Sequence, residues 1–286
     1  MFLSEVMFLL NDNLAKIGEK MDFVAKNLTK LRETNPLVQN ITNYVVMNST
    51  ANSLLALGVS PVMAHAMDEL EEMVTIASAL VVNIGTLDEY WIPSMEKAAK
   101  IASDLKKPII LDPVGAGATK LRTKTALKIL DFADISVLRG NFGEIAAVLG
   151  EHGKTRGVDS AAYDSNEAIE LSKNAAKEFN TVSAVTGPVD HVSNGKELYA
   201  ISNGHPMLSK VTGTGCATTS IIGAFSAVDD PLKAAVSGLV VYGISAEMAF
   251  TEAPYPGTFQ AKVYDWLYRI DEKLVLKKAK VNKFEI

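Results

Sequence analysis

An α/β fold, with a mostly parallel sheet covered by helices on both faces, is predicted by two features of this sequence. Short apolar runs alternate with helix-period segments almost from end to end, as repeated βαβ crossovers require. The loops after several of those runs carry Gly, Asn or Asp, as expected where an open sheet presents a site at the carboxyl ends of its strands. With 286 residues, 48% hydrophobic and 21% charged, the chain can bury one large core, and no repeat, low-complexity tract or linker composition divides it.

A polar-studded helix over 21–33 comes first, then a short strand or turn at 36–39. Helical spacing predicts a helix over 43–57, with Thr42 as its cap and Gly58 as its stop, since glycine readily takes the left-handed conformation that ends helices. A strand at 60–64, a helix at 69–77, a strand at 80–84 closed by Gly85, a helix at 94–105 and a strand at 108–111 follow. The alternation continues with a helix at 123–132, a strand at 135–138, helices at 142–149 and 166–179, and a strand at 181–185. Residues 190–192 and 197–201, joined through Asn194-Gly195, read as an antiparallel hairpin because Asn-Gly supplies the positive φ of a tight turn. Helices at 218–227, 232–250 and 259–272 close the domain, and small residues such as Ala234, Ala235, Ser237 and Gly238 favour close packing of the second. Lys277, Lys278 and Lys280 read as a solvated C-terminal face.

A net charge of −5 and a pI near 5.5 argue against a general nucleic-acid binder, whose footprint is a basic excess. One cysteine excludes an intrachain disulfide framework and fits the reducing cytoplasm, and neither C-x-x-C nor H-E-x-x-H is present to hold zinc. Residues 1–10 are apolar but lack a basic leader, contain Glu5 and fall short of the roughly 20 residues a membrane span needs, so neither a signal nor a membrane partner is expected. His65, His152, His191 and His205 are scattered without ligand spacing and read as surface or core residues. The methionines read as packing, except that Met63 lies at a strand rim where a small apolar ligand could touch it.

Chemistry is expected just after Leu111, Leu138, Val185 and Val211, each taken as a strand end. At Val211-Thr212-Gly213-Thr214-Gly215-Cys216-Ala217, two glycines and the single cysteine open a helix, so bare N–H groups of Gly213, Thr214, Gly215 and Cys216 would face an anion such as a phosphoryl group. Asp112 reads equally as a turn or cap residue and as a magnesium ligand, direct or through water. In Arg139-Gly140-Asn141-Phe142-Gly143-Glu144, a capping box accounts for Asn141 and Glu144 but not for Arg139, whereas a functional reading sends Arg139 to phosphate oxygens and lets Asn141 and Glu144 arrange metal-bound water. Gly115-Ala116-Gly117-Ala118-Thr119-Lys120 fails the P-loop spacing, and no dinucleotide-binding G-x-G-x-x-G stands at a first strand-to-helix turn.

Seven blocks in order, Q-N-I-T-N-Y-V from Gln39, S-P-V-M-A from Ser60, N-I-G-T-L from Asn83, L-D-P-V-G-A-G-A-T from Leu111, R-G-N-x-x-E from Arg139, V-T-G from Val185 and V-T-G-T-G-C from Val211, resemble the hydroxyethylthiazole kinases of the ribokinase-like group. That resemblance runs from about Pro36 to the last helices and implies a three-layer ribokinase-like fold. It also implies transfer of the ATP γ-phosphoryl group, with Mg2+, to the alcohol of 4-methyl-5-(2-hydroxyethyl)thiazole in thiamine biosynthesis or salvage. Carried over residue by residue, it puts Cys216 where most ribokinase-like enzymes hold an aspartate base, Met63, Gly213 and Asn43 at the thiazole, and Arg139 and Thr186 at ATP. Asp112, Glu144 and Asn141 fall in the magnesium and phosphate arrangement. Whether Cys216 acts as a thiolate base, its pKa lowered by a helix N-terminus, or only orients the alcohol stays open at this point. The family implies a homotrimer with active sites between subunits. Residues 1–20 precede the usual start and read as an extension to a single kinase domain over 21–286. The nearest alternatives are another small-alcohol kinase of this fold, which Cys216 in place of Asp argues against, and a noncatalytic nucleotide-binding protein, which the intact site set argues against.

Overall fold

The computed structural model describes residues 22–150 and 165–285; the expectations for residues 1–20 and for His152 lie outside the described residues. Six strands pair in parallel: β1 (Leu37–Ile41), β2 (Ser60–Val62), β3 (Ala79–Asn83), β4 (Ile109–Asp112), β5 (Val137–Asn141) and β6 (Val182–Thr186). Three antiparallel strands, β7 (Asp190–Ser193), β8 (Glu197–Ile201) and β9 (Val281–Glu285), extend the same sheet. Its order is β2-β1-β3-β4-β5-β6-β7-β8-β9.

Both faces are covered, and the strand period explains why the central strands are continuously apolar. Val81, Ile110 and Val137 enter a core with helices α1 (22–34), α2 (Met47–Leu57), α8 (Thr214–Ser226), α9 (Pro231–Glu252) and α10 (Pro256–Arg269). Their neighbours Leu80, Val82, Ile109, Leu111 and Leu138 enter the opposite core with α3 (Leu70–Ile76), α4 (Trp91–Asp104), α5 (Lys120–Phe132), α6 (Phe142–Val148) and α7 (Ser165–Glu178). Helix α8 lies deepest, because a Cβ on its Gly223 would come 2.7 Å from Val81 of the sheet, and one on Gly238 of α9 would come 2.7 Å from Ile222. Phe225, fully buried on α8, adds roughly 1.5–3 kcal/mol of burial free energy.

Several boundaries differ from the sequence expectation. Helix α2 starts at Met47, after a turn over 44–46, and Thr42 and Asn43 stay in the loop, where the Asn43 side chain bonds Asn83. No strand leads into Val211: a five-residue 3-10 helix, Pro206–Lys210, precedes it, with the His205 ring accepting from the Met207 N–H. Pro206 sets a helical φ and has no N–H to give a ladder. The helix expected over 259–272 is two, since α10 ends at Arg269 and Asp271 caps α11 (Glu272–Lys278) by accepting from the Leu274 N–H at 2.8 Å. The C-terminal lysines do not end in a solvated face alone: Lys280 pairs with Glu247 at 2.9 Å and leads into β9, whose Val281 sits opposite Ile201.

Candidate active site

The sheet order reverses between β1 and β3, which leaves a crevice beyond their carboxyl ends, the place where open α/β sheets bind ligands. Asn83 ends β3 beside Asp112, its register partner at the end of β4. Asn83 Nδ2 donates to Asp112 Oδ2 at 2.9 Å, and Thr219 Oγ1 donates to the same oxygen at 2.7 Å. On its other side, Asn83 Oδ1 accepts from Asn43 Nδ2 at 2.9 Å and from the Gly85 N–H at 3.0 Å. Asn43 Nδ2 also reaches Cys216 Sγ at 3.5 Å, so one hydrogen-bonded chain joins the thiol to the carboxylate. Gly85 permits this approach, because a Cβ there would lie 2.6 Å from Asn43 Nδ2.

Cys216 stands in the first turn of α8. Gly213, at φ 82, is the N-cap, and the first helical bond runs from the Ala217 N–H to the Gly213 carbonyl at 2.8 Å. The N–H groups of Thr214, Gly215 and Cys216 therefore precede the ladder and are available to an anion. Arg139 roofs this turn: a Cβ on Gly215 would lie 2.9 Å from its Nη1. The guanidinium donates to Thr186 Oγ1 at 2.8 Å, lies 3.8 Å from Asp112 Oδ2, and leaves its buried Nε without a partner.

Asn141 and Glu144 form a complete capping box on α6, so the simpler of their two sequence readings describes their contacts. Both Glu144 oxygens are taken, by the Gly115 N–H and the Asn141 N–H, each at 2.8 Å. Asn141 Oδ1 accepts from the Glu144 N–H at 2.9 Å. Asp112 differs, since its buried Oδ1 has no hydrogen-bond partner. A magnesium ion takes few protein oxygens and keeps water and phosphate ligands, and a single orphaned carboxylate oxygen beside an anion site fits that need. Among the described residues no group of three or more His, Cys, Asp or Glu is placed to hold a metal, so only this sparse kind of site fits.

Burial raises the Asp112 carboxyl, against the pull of Arg139, Thr219 and Asn83. Burial, then the adjoining Asp112, raises Glu144. The same two causes push the Cys216 thiol up to about 11. That rise speaks against the thiolate reading, since a helix N-terminus is worth about 0.3–1 kcal/mol, less than desolvating a charge beside a carboxylate costs.

Beside Arg139 a cavity of about 660 Å³ opens, lined by Arg139, Thr186, Thr214 and Gly215 and by residues of the loop from Ser202 to Ser209, whose Leu208 carbonyl accepts from Thr214 Oγ1 at 3.0 Å. Gly213 sits apart from it, against Val46 and Ser49 at the start of α2. Met63 follows β2, the edge strand, two strand spacings or roughly 10 Å from β3. His205, expected in a bland role, lines the cavity and stacks on Phe250 at 3.6 Å.

Three residues of the site escaped sequence reasoning. Asn83 lay in a quoted motif without a role. Thr219 follows Cys216 at a same-face helical spacing, a signal that could have found it. Arg122, whose guanidinium donates to the Val114 and Gly85 carbonyls at 2.7 Å each and so ties the loops after β4 and β3, had no local signature.

Residues 28–273 match the hydroxyethylthiazole kinase family. Over 266 residues, 93% of this chain and 100% of the relative, the sequence is 97% identical to a hydroxyethylthiazole kinase of Methanococcus maripaludis. The solved hydroxyethylthiazole kinase of Pyrococcus horikoshii OT3 superposes with a TM-score of 0.87 at 57% identity, covering 93% of this chain and 100% of that one. A ribokinase-like superfamily protein of Enterococcus faecalis, at 12% identity and a TM-score of 0.58 over 82% of this chain and 87% of that one, shares the fold.

Proposed function

The chain belongs to the hydroxyethylthiazole kinase family, and on that premise we propose how its residues divide the reaction. The enzyme transfers the γ-phosphoryl group of ATP to the primary alcohol of 4-methyl-5-(2-hydroxyethyl)thiazole, giving the thiazole phosphate of thiamine biosynthesis or salvage. The alcohol oxygen forms the new bond to phosphorus as the bond from phosphorus to the ADP oxygen breaks.

Such a transfer passes through a loose transition state and asks for placement and charge stabilisation more than for covalent help. The N–H groups of Thr214, Gly215 and Cys216, with Gly213 as the turn that exposes them, hold the moving phosphoryl oxygens. Arg139, fixed on Thr186 Oγ1, supplies the positive charge, and its unpartnered Nε is a further donor to phosphate. Asp112 would hold a magnesium ion through Oδ1, with Glu144 and Asn141 reaching it only through water; the ion would neutralise nucleotide charge. Cys216, neutral and fixed by Asn43, orients the alcohol rather than taking its proton. Asn43 and Gly213 line the thiazole side.

Met63 enters through a neighbouring copy. Its place after the edge strand β2, together with exposed Tyr44 (58%), Val45 (69%) and Tyr90 (76%) on the loops flanking the crevice, supports a homotrimer with sites between subunits. A single free thiol at the site suits the reducing cytoplasm, and residues 21–286 act as one kinase domain.

The chain of hydrogen bonds from Cys216 through Asn43 and Asn83 to Asp112, ending beside Arg139 and the bare amides of α8, carries this reading. A coupled assay of ADP release with the thiazole alcohol tests it. Wild type turns over; Cys216→Ala loses about tenfold or more in kcat while the ATP Kd stays within about twofold, and Cys216→Asp keeps substantial activity. The wild-type pH profile shows no step at a free thiol's pKa of about 8.5. Equal turnover by Cys216→Ala removes the thiol from the chemistry.

A further inference from the structure

The nucleotide cavity carries a carboxylate with no assigned task. Asp190 begins β7, just past the short turn that follows Thr186, and is the only acid among the described residues lining the cavity. The antiparallel pairing of Val185 with His191 holds it close to the Arg139–Thr186 pair. Its Oδ1 accepts from the Gly187 N–H at 2.9 Å, which fixes the side chain, while Oδ2 takes no hydrogen bond among the described residues.

We propose that Asp190 is the ribose-recognition residue of the nucleotide site, its Oδ2 accepting a hydrogen bond from a 2′- or 3′-hydroxyl. This rests on reading the cavity as the ATP site. A nucleotide presents its parts in a fixed order of anion, hydroxyl-bearing sugar and flat base. The cavity lining holds a matching set: Arg139, Thr186 and Gly215 for an anion, Asp190 four residues on from Thr186, and Pro188, Pro206 and Leu239 as apolar surface. A carboxylate repels phosphate and finds little to bind on an apolar base face, whereas a sugar hydroxyl is a donor in search of an acceptor. Burial lifts the Asp190 carboxyl to about 7, against the Gly187 N–H and Arg139, and a donor on Oδ2 would restore what that burial removes.

Initial-rate kinetics of the full chain with saturating thiazole alcohol decide the matter, comparing ATP, 2′-deoxyATP and 3′-deoxyATP in wild type and in Asp190→Asn. Asparagine keeps an oxygen for the Gly187 N–H and replaces the second acceptor by a donor. In wild type, kcat/KM for at least one deoxy nucleotide falls about tenfold or more below that for ATP, read chiefly in KM. In Asp190→Asn, ATP itself weakens and that ratio shrinks to about twofold. A purely structural Asp190 would lower all three nucleotides together and leave the ratio intact, which overturns the proposal. Equal use of all three by wild type overturns it without the variant. A wild type that turned over none of them would instead overturn the kinase reading on which the proposal rests.

Discussion

On the β1–β4 side of Arg139, polar side chains are buried and joined to one another; on the β5–β8 side they line an open cavity and carry unused donors and acceptors. Asn83, Asp112 and Thr219 are essentially inaccessible and spend their groups on each other and on Asn43. Arg139, Thr186 and Asp190 line the cavity, and among the described residues the Arg139 Nε and Asp190 Oδ2 find no hydrogen-bond partner. The β1–β4 side is thus held in place by its own hydrogen bonds, since a buried polar network is costly to break, and Asp112 Oδ1 is the one oxygen of this set left over for a ligand. The nucleotide side leaves its charges to be met by the ligand. Substitutions on the first side should strike kcat and folding together, and those on the second should strike nucleotide KM.

Asp112→Asn is the strongest test of that contrast. It keeps the shape but removes the charge beside Arg139 and half of the acceptor capacity, so turnover falls on the order of 100- to 1000-fold, measured by ADP release at saturating ATP and alcohol. A loss confined to KM would erase the distinction between the two sides. Next in size, Asn83→Leu leaves the Asn43 amide and the Gly85 N–H without their acceptor and takes one donor from Asp112. Each orphaned group costs roughly 1–3 kcal/mol, so thermal unfolding shifts to lower temperature and kcat falls about tenfold. An unchanged melting temperature would mean that this network is not the rigid element. Glu144→Gln has the smallest effect. Glutamine offers one acceptor oxygen and a donor NH2 to the Gly115 and Asn141 N–H groups, so one of them loses its acceptor, stability drops by about 1 kcal/mol and the magnesium concentration for half-maximal rate rises. A flat metal dependence would leave Glu144 a capping residue only.

Much of this was readable from residue order. The alternation of β3 to β6 with their helices, the Asn194-Gly195 hairpin and the Gly58 stop at φ 95 all follow from local stereochemistry, and each is present. The C-terminal strand was not readable, because Val281–Glu285 places Asn282 and Lys283 side by side, breaks the two-residue alternation that marks a strand, and becomes one only by pairing with β8. The 3-10 turn before Val211 was missed for a similar reason, since Val211 itself has extended φ and ψ and only its predecessors are helical.

At the site, the amino-acid sequence alone determined which groups are present: a glycine-flanked thiol opening a helix, an acid at a strand end, and an arginine ahead of a capping box. Those depend on neighbours within a few positions. What the tertiary structure decided is their state. Asn83 and Thr219 lie far apart in sequence and meet on one Asp112 oxygen, and burial beside that carboxylate pushes the Cys216 thiol up, against the helix dipole. Desolvation and charge proximity are properties of the folded interior, set by which strands and helices are brought side by side, and no local run of residues encodes them.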